Sequence, residues 1–250
     1  DADARADELP EAQPLPIEAS GNRSYGVLVT GVGGTGVITV GQLLGMAAHL
    51  EGKGISVLDM AGLAQKGGAV FSHVQIAHAP GHLFATRIAT GEADLVIGCD
   101  LVVTAGNEAL AKMRAGVTRA VVNADVMPTS DFLRNPDWQL PARELRRNVL
   151  DAAGERDVDF VEANSIAETV LGDAIYTNPL LVGYAWQKGW LPLERRAIER
   201  AIELNGVQAS ANRRAFDWGR RLAHDPEGVR RLLAPAQPVN VVDLRRRDAV

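Results

Sequence analysis

A chain of 250 residues, 46% hydrophobic and 23% charged, can bury one full core and does not belong among long disordered proteins. Its formal net charge of -5, from 26 basic and 31 acidic side chains, gives no attraction to phosphate backbones or anionic membranes, so neither nucleic acid nor a membrane is expected as a partner. A single cysteine, Cys99, excludes an internal disulfide, a tetracysteine zinc site and any iron–sulfur cluster held by this chain alone.

The opening stretch is acidic, carries Pro10, Pro14 and Pro16, and reads with the residues after it as a polar linker over 1–22. It has neither the basic nor the apolar part of a signal peptide. No run approaches the ~20 apolar residues of a membrane span, which makes the cytoplasm the expected compartment. The first residue is not methionine, and the last six, Arg245-Arg246-Arg247-Asp248-Ala249-Val250, carry no stop signal. Both ends therefore suggest a piece of something longer, although processing would also account for the start.

The first apolar run, 25–30, is β-branched and ends in Gly31-Val32-Gly33-Gly34-Thr35-Gly36, the pattern of a buried strand turning sharply into a helix. Val37, Val40, Leu44, Ala47 and Ala48 recur at helical spacing to about Glu51, and Gly52-Lys53-Gly54 stops the helix before a second apolar run at 55–58. A crossover of this length returns the chain to the same sheet, so the two strands are expected to pair in parallel. Further strands are predicted at 70–77, 95–98, 120–123 and 158–162, with helices at 101–114, 141–153 and 165–171. This alternation predicts an α/β, doubly wound, mostly parallel sheet over 23–175. Helices alone follow, at 179–187, 192–204, 211–222 and 226–233, and predict a C-terminal helical extension over 176–250 that packs on the sheet or on a neighbouring subunit.

Gly31, Gly33 and Gly36 satisfy G-x-G-x-x-G, and Asp59 ends the second strand, where a dinucleotide site would place a carboxylate for a ribose hydroxyl. Backbone amides at such a helix start welcome an anion. The same glycines serve equally for a tight turn and close helix–strand contact with nothing bound. Asp59 runs straight into a second glycine-rich loop that contains Gln65, Lys66, Gly67 and Gly68, which leaves little room for adenine. A Walker-type phosphate loop is absent, since glycine rather than serine or threonine follows Lys66.

Together, Val29-Thr30-Gly31-Val32-Gly33-Gly34-Thr35-Gly36-Val37, Ser56-Val57-Leu58-Asp59-Met60, Gly62-Leu63-Ala64-Gln65-Lys66-Gly67-Gly68-Ala69-Val70 and Ser72-His73-Val74 resemble the γ-type domain of the indolepyruvate ferredoxin oxidoreductases, within the 2-oxoacid:ferredoxin oxidoreductase family. The likeness continues through Asp94-Leu95-Val96-Ile97-Gly98-Cys99-Asp100-Leu101, Asn178-Pro179-Leu180-Leu181-Val182-Gly183-Tyr184-Ala185-Trp186 and Ala201-Ile202-Glu203-Leu204-Asn205-Gly206, so it covers most of 25–225. It implies a Rossmann-like fold and an enzyme that decarboxylates an aryl 2-oxoacid on thiamine diphosphate, passes electrons through 4Fe-4S clusters to ferredoxin and transfers the acyl group to coenzyme A. The chain has neither the thiamine-binding Gly-Asp-Gly motif (Gly172-Asp173-Ala174 is not it) nor the cysteines for clusters. Thiamine diphosphate, Mg and the clusters are therefore expected in other domains or subunits of the complete enzyme, and this chain is expected to bind no cofactor and to be inactive alone.

From the same resemblance, Gly31, Gly33, Gly34, Thr35 and Gly36 with Gln65, Lys66, Gly67 and Gly68 are expected to form one wall of the substrate or coenzyme A approach, and Asn123 to stand at the same strand edge. Lys66 would steady a phosphate or carboxylate as a mobile point charge; the competing reading is a solvated surface lysine. His73 reads as a structural histidine, Cys99 as a buried small hydrophobe and Asn178 as a helix cap before Pro179. Tyr184, Trp186, Trp190, Phe216 and Trp218 read as packing or subunit contact. His49, His78, His82 and His224 have no metal-ligand spacing. Two other classes stay open: a stand-alone NAD(P)- or FAD-binding oxidoreductase, and a non-catalytic structural or assembly domain. The sequence does not decide between monomer and homodimer.

Overall fold

In the computed structural model, which describes residues 9–17, 23–62, 68–125 and 141–233, the strands are β1 (Tyr25–Val32), β2 (Gly54–Ala61), β3 (Ala69–Ala77), β4 (Leu95–Gly98), β5 (Arg119–Asn123) and β6 (Val158–Val161). All six predicted strands are present, and their order in the sheet is β2-β3-β1-β4-β5-β6. β1, β4, β5 and β6 are mutually parallel, as a doubly wound fold requires. The expected parallel pairing of β1 with β2 is not found. β3 lies between them, antiparallel to both, with Val29 opposite Ser72 and Asp59 opposite Ser72 on its other side. Only residues 62–68 join β2 to β3, too few for a parallel return, so β3 comes back antiparallel, and it takes the place beside β1; β1 and β2 keep the same direction, one strand apart.

The helices are α1 (Val37–Leu50), α2 (Leu101–Thr104), α3 (Asn107–Leu110), α4 (Ala142–Ala153), α5 (Ala163–Leu171), α6 (Thr177–Gln187), α7 (Arg195–Asn205), α8 (Ala209–His224) and α9 (Pro226–Leu233). The single helix predicted at 101–114 is instead the two short turns α2 and α3. Gly106 breaks it by taking an extended conformation (φ -74°, ψ 151°), while the Asp100 carboxylate caps α2 by accepting from Val103 N–H at 2.8 Å.

Each face of the sheet carries its own apolar cluster. On one, Leu28, Val96, Ala120 and Val122 meet side chains from α2, α3 and α4. On the other, Val27, Val29, Leu95, Ile97 and Val121 meet α1 and α5 to α9. Each fully buried aliphatic side chain contributes roughly 1.5–3 kcal/mol. The helices after residue 176 thus complete the cluster on that second face. α6 is buried on nearly every side, and it crosses α8 so closely that a methyl on Gly183 would meet the Phe216 carbonyl and one on Gly219 the Leu180 carbonyl. The aromatic group packs as expected: Trp186 lies 6.0 Å from Phe216 between ring centroids and donates its indole N–H to Leu193 O at 2.9 Å. The fully buried Arg220 sits over the Trp186 ring and pairs with Asp217 at 3.1 Å. Residues 9–17 lie along this helical layer, with Leu15 N–H bonded to Leu191 O and Glu11 paired with Arg195.

Candidate functional site

The strand topology brings the glycine turn, the start of β3 and the ends of β4 and β5 to one rim. The turn is built by crowding. A Cβ on Gly31 would lie 2.7 Å from the Val37 side chain and 3.1 Å from Cys99 Cβ, so only glycine lets α1 fold back so tightly over β1. Gly34 and Gly36 take φ of 90° and 87°, the left-handed region that other residues rarely enter. Thr35 closes the turn with its N–H and its hydroxyl, both donating to Val32 O, at 3.2 and 2.7 Å. Gly33 N–H donates to Gly68 O at 2.9 Å, so the turn and the end of the second glycine-rich loop abut.

α1 begins at Gly36 with no side-chain cap and no acidic residue in its first turn. Its first amides and the positive end of the helix dipole are therefore left to whatever enters from the rim. Below them lies a cleft of about 480 Å³, lined on the turn side by Gly34, Thr35, Gly36 and Thr39 and on the far side by Tyr176, Asn178, Asn205, Val207, Gln208 and Asn212. Its walls are mainly apolar with several amide side chains. Gln208 is the one non-glycine residue at positive φ (45°) among the described residues, and its side-chain oxygen accepts from the Tyr176 hydroxyl, tying the two far-side loops together.

Asn123 does not face this cleft directly. It is 2% exposed, donates to Asn164 Oδ1 at 2.9 Å and to Cys99 O at 3.3 Å, and accepts from Ala163 N–H at 3.2 Å. Asn164 in turn accepts from the Thr177 hydroxyl at 2.8 Å. This chain of amides fixes the starts of α5 and α6 against the end of β5. Asn178 corrects the expectation of a helix cap: it lies inside α6, whose cap position is Tyr176, and donates to Thr35 O at 2.6 Å, pinning α6 to the glycine turn. The reason is that α6 starts at Thr177, before Pro179.

Cys99 lines the cleft yet is only 7% exposed, and desolvation by burial pushes its thiol up to about 12, which leaves it a neutral, unreactive group. His73 is fully buried with Nδ1 accepting from Ile88 N–H at 3.3 Å, and desolvation holds its pKa down at about 4, a structural neutral imidazole. Among the described residues no three His, Cys, Asp or Glu side chains converge on a metal-sized point, and one buried cysteine does not fit a cluster. Asp59 lies on the edge strand β2, exposed and separated from β1 by β3. The carboxylate that a dinucleotide fold keeps beside its glycine turn is thus a full strand away, and the Gly33 amide is already engaged.

Of the predicted site residues, Gly34, Thr35 and Gly36 line the cleft, Gly31 and Gly33 build the turn, Gly68 braces it and Asn123 lies beneath. Gln65, Lys66 and Gly67 lie outside the described residues. The far wall, Tyr176 and the amides of Asn164, Asn205, Gln208 and Asn212, was not predicted. Its one signal in the sequence is the recurrence of amides beside Asn205-Gly206, which reads first as a helix stop.

Residues 26–222 match the family described as pyruvate ferredoxin/flavodoxin oxidoreductase. The indolepyruvate oxidoreductase subunit IorB of Methanothermobacter thermautotrophicus is 29% identical over 198 residues, which cover 78% of this chain and 96% of that protein. Pyruvate oxidoreductase subunit PORC from Thermotoga maritima superposes with a TM-score of 0.55 at 20% identity, over 80% of this chain and 96% of that one. A 2-oxoglutarate:ferredoxin oxidoreductase from Magnetococcus marinus, solved with 2-oxoglutarate, coenzyme A and succinyl-CoA bound, matches with a TM-score of 0.60 at 15% identity, over 81% of this chain and 31% of that one. Among the described residues, no helix is long and apolar enough to cross a membrane.

Proposed function

We propose a function from one premise: the chain belongs to the pyruvate ferredoxin/flavodoxin oxidoreductase family. It is the γ-type subunit of a 2-oxoacid:ferredoxin oxidoreductase, and its substrate class is the aryl 2-oxoacids, indolepyruvate first among them, as in the curated relatives. Thiamine diphosphate, Mg and the iron–sulfur clusters, and with them ferredoxin, are assigned to the other subunits, because the chain has one cysteine and no thiamine motif, and no metal-binding group of side chains converges among its described residues. Alone it turns nothing over.

Its own contribution is a binding wall. The observation that supports this reading is the contact of Gly33 N–H with Gly68 O, which sets the end of the second glycine-rich loop against the glycine turn, while Gly34, Thr35 and Gly36 of that turn line the cleft at the uncapped start of α1. Open amides and a helix dipole suit the phosphates of coenzyme A or the carboxylate of the oxoacid, with Lys66 as an added point charge. The apolar part of the lining, Val40, Leu43, Ile175 and Val207, would hold the uncharged part of the ligand and exclude water, and Asn123 and Asn178 act as positioning residues for the two walls.

The test uses the assembled enzyme. Thr39→Glu puts a carboxylate in the first turn of α1, where it favours the helix yet repels an incoming anion. The KM for coenzyme A is expected to rise about tenfold or more, with kcat little changed, the signature of lost ground-state binding. Lys66→Ala should raise it less. If both variants keep wild-type KM values for coenzyme A and for the oxoacid, the wall is a packing device and the reading fails.

A further inference from the structure

α7 packs on one side of α1 and the turn at Ala79–Pro80 on Gly54 at the start of β2, but the outer face of α1 and the rest of the β2 edge form a flank that no described residue is seen to cover. β2 ends the sheet and runs for eight residues with an unbroken register against β3, so its outer side offers a row of unpaired N–H and C=O groups. Protein chains normally blunt such an edge with charges, proline, a bulge or brevity. β2 has no proline, no bulge and one charge, Asp59, while Ile55, Val57, Leu58 and Met60 are all partly exposed. α1 lies directly on it, since a Cβ on Gly45 would be 3.0 Å from Val57.

The outer face of α1 continues the same chemistry. Ile38, Gln42, Met46, His49 and Leu50 are exposed, and the 14-residue helix contains no Asp, Glu, Lys or Arg. A helix that avoids charge on its solvent side is one that some other surface buries. Ile38 and Met46 are 40% and 41% exposed, which is not how a monomer treats large apolar side chains lying on one stripe.

We propose that this flank joins two copies of the chain, their β2 strands pairing antiparallel across a two-fold axis normal to the sheet, so that the two sheets become one and α1 packs on α1 of the second copy. A second copy is chosen over an unlike partner for three reasons. An edge strand is its own complement under such an axis, because each copy offers the groups the other lacks. With Ser56, Val57 or Leu58 at the axis, each Asp59 faces Lys53, Ile55 or Val57 of the other strand and never the other Asp59. Finally, the uncharged stripe runs the length of α1, about 18 Å from Ile38 to Leu50, the length of contact that a second α1 lying alongside would make.

Sedimentation velocity of the whole chain between about 1 and 100 µM tests the proposal, with Met46→Glu and Leu58→Lys as probes that both lie on partly open positions. The wild type should sediment as a dimer, and each variant should weaken association at least about a hundredfold, since the axis brings two like charges together in a desolvated contact. Unchanged far-UV circular dichroism would show that the variants still fold. The β2 amides should exchange slowly in the dimer and quickly in Met46→Glu. A monomeric wild type over the whole range overturns the proposal, as does a dimer that both variants leave intact. Loss of binding to the thiamine-carrying subunit in Met46→Glu, from a wild type that is monomeric alone, would assign the flank to that subunit instead.

Discussion

The two ends of the sheet are finished in opposite ways. At the β6 end the strand is only four residues long, and its side chains are secured from within the chain: Asp159 pairs with Lys188 at 2.9 Å and accepts from the Tyr184 hydroxyl at 3.1 Å, while Phe160 lies under the Arg146 guanidinium at 5.3 Å. The helix packed beside it, α4, carries charge on its outer face, as in the Arg147–Asp151 pair. At the β2 end the strand is twice as long, nearly free of charge and backed by a helix with none. The contrast teaches that this chain protects one edge from within and leaves the other open among its described residues, and that opening is the one the proposed dimer would close.

The largest break in the comparison is expected in the helical layer that closes the β4–β6 side. Gly183→Ala drives a methyl into the backbone carbonyl of Phe216, which cannot rotate away, so α6 and α8 must separate. Overpacking against backbone in a filled core should cost about 3 kcal/mol. Urea unfolding measures it, and a midpoint equal to wild type would mean that the crossing is looser than described. The corresponding contact at the open end is softer. Gly41→Ala in α1 would press on the Ser72 side chain, whose hydroxyl has no partner, and gains helix propensity in return, so a loss of about 1 kcal/mol is expected in the same measurement.

Between these lies a pH effect at the β3 strand that supports β2. His73 is buried and neutral, with its pKa lowered to about 4 chiefly by desolvation and further by Arg87 and Lys112. The unfolded chain takes up this proton near pH 6.5 but the folded chain only near pH 4. Its contribution is therefore fully present above pH 6.5, is lost as the pH falls through that window, and amounts to a swing on the order of 2 kcal/mol. His73→Asn keeps an acceptor for Ile88 N–H and removes the titration. Stability measured at pH 7 and pH 4.5 should differ less in the variant than in wild type; equal differences would rule out His73 as the source.

How much of this was legible in the sequence follows from what each signal encodes. Runs such as 25–30 and 95–98 are apolar on both faces because both faces are covered, so all six strands could be seen. Strand order is not written in such runs: the short 62–68 connection makes β3 antiparallel to β2, but that β3 rather than β2 lies beside β1 is settled only by packing. The glycine turn was readable because crowding at Gly31 and positive φ at Gly34 and Gly36 admit little else. The far wall of the cleft was not, because Tyr176, Gln208 and Asn212 come together only through the packing of α6 on α8, which local spacing does not reveal. Asn123 was placed at the right edge for a partly different role, since an asparagine ending a strand looks the same whether it faces a ligand or holds two helix starts.

The smallest effect expected is at the finished edge. Asp159 and Lys188 are each about one-third exposed, so their attraction is largely screened by solvent, and Lys188 also lies over the Trp190 ring at 5.1 Å, which keeps it in place without the carboxylate. Asp159→Asn preserves an acceptor for the Tyr184 hydroxyl and should cost about 0.5 kcal/mol in urea unfolding, with no change in association state. The value of the substitution is in that second readout. A four-residue edge strand blunted by shortness and by neighbouring side chains should stay unpaired when one charge is removed, whereas new oligomers in sedimentation velocity would show that Asp159 alone had been holding a second sticky edge apart, and the contrast between the two ends would then reduce to a single carboxylate.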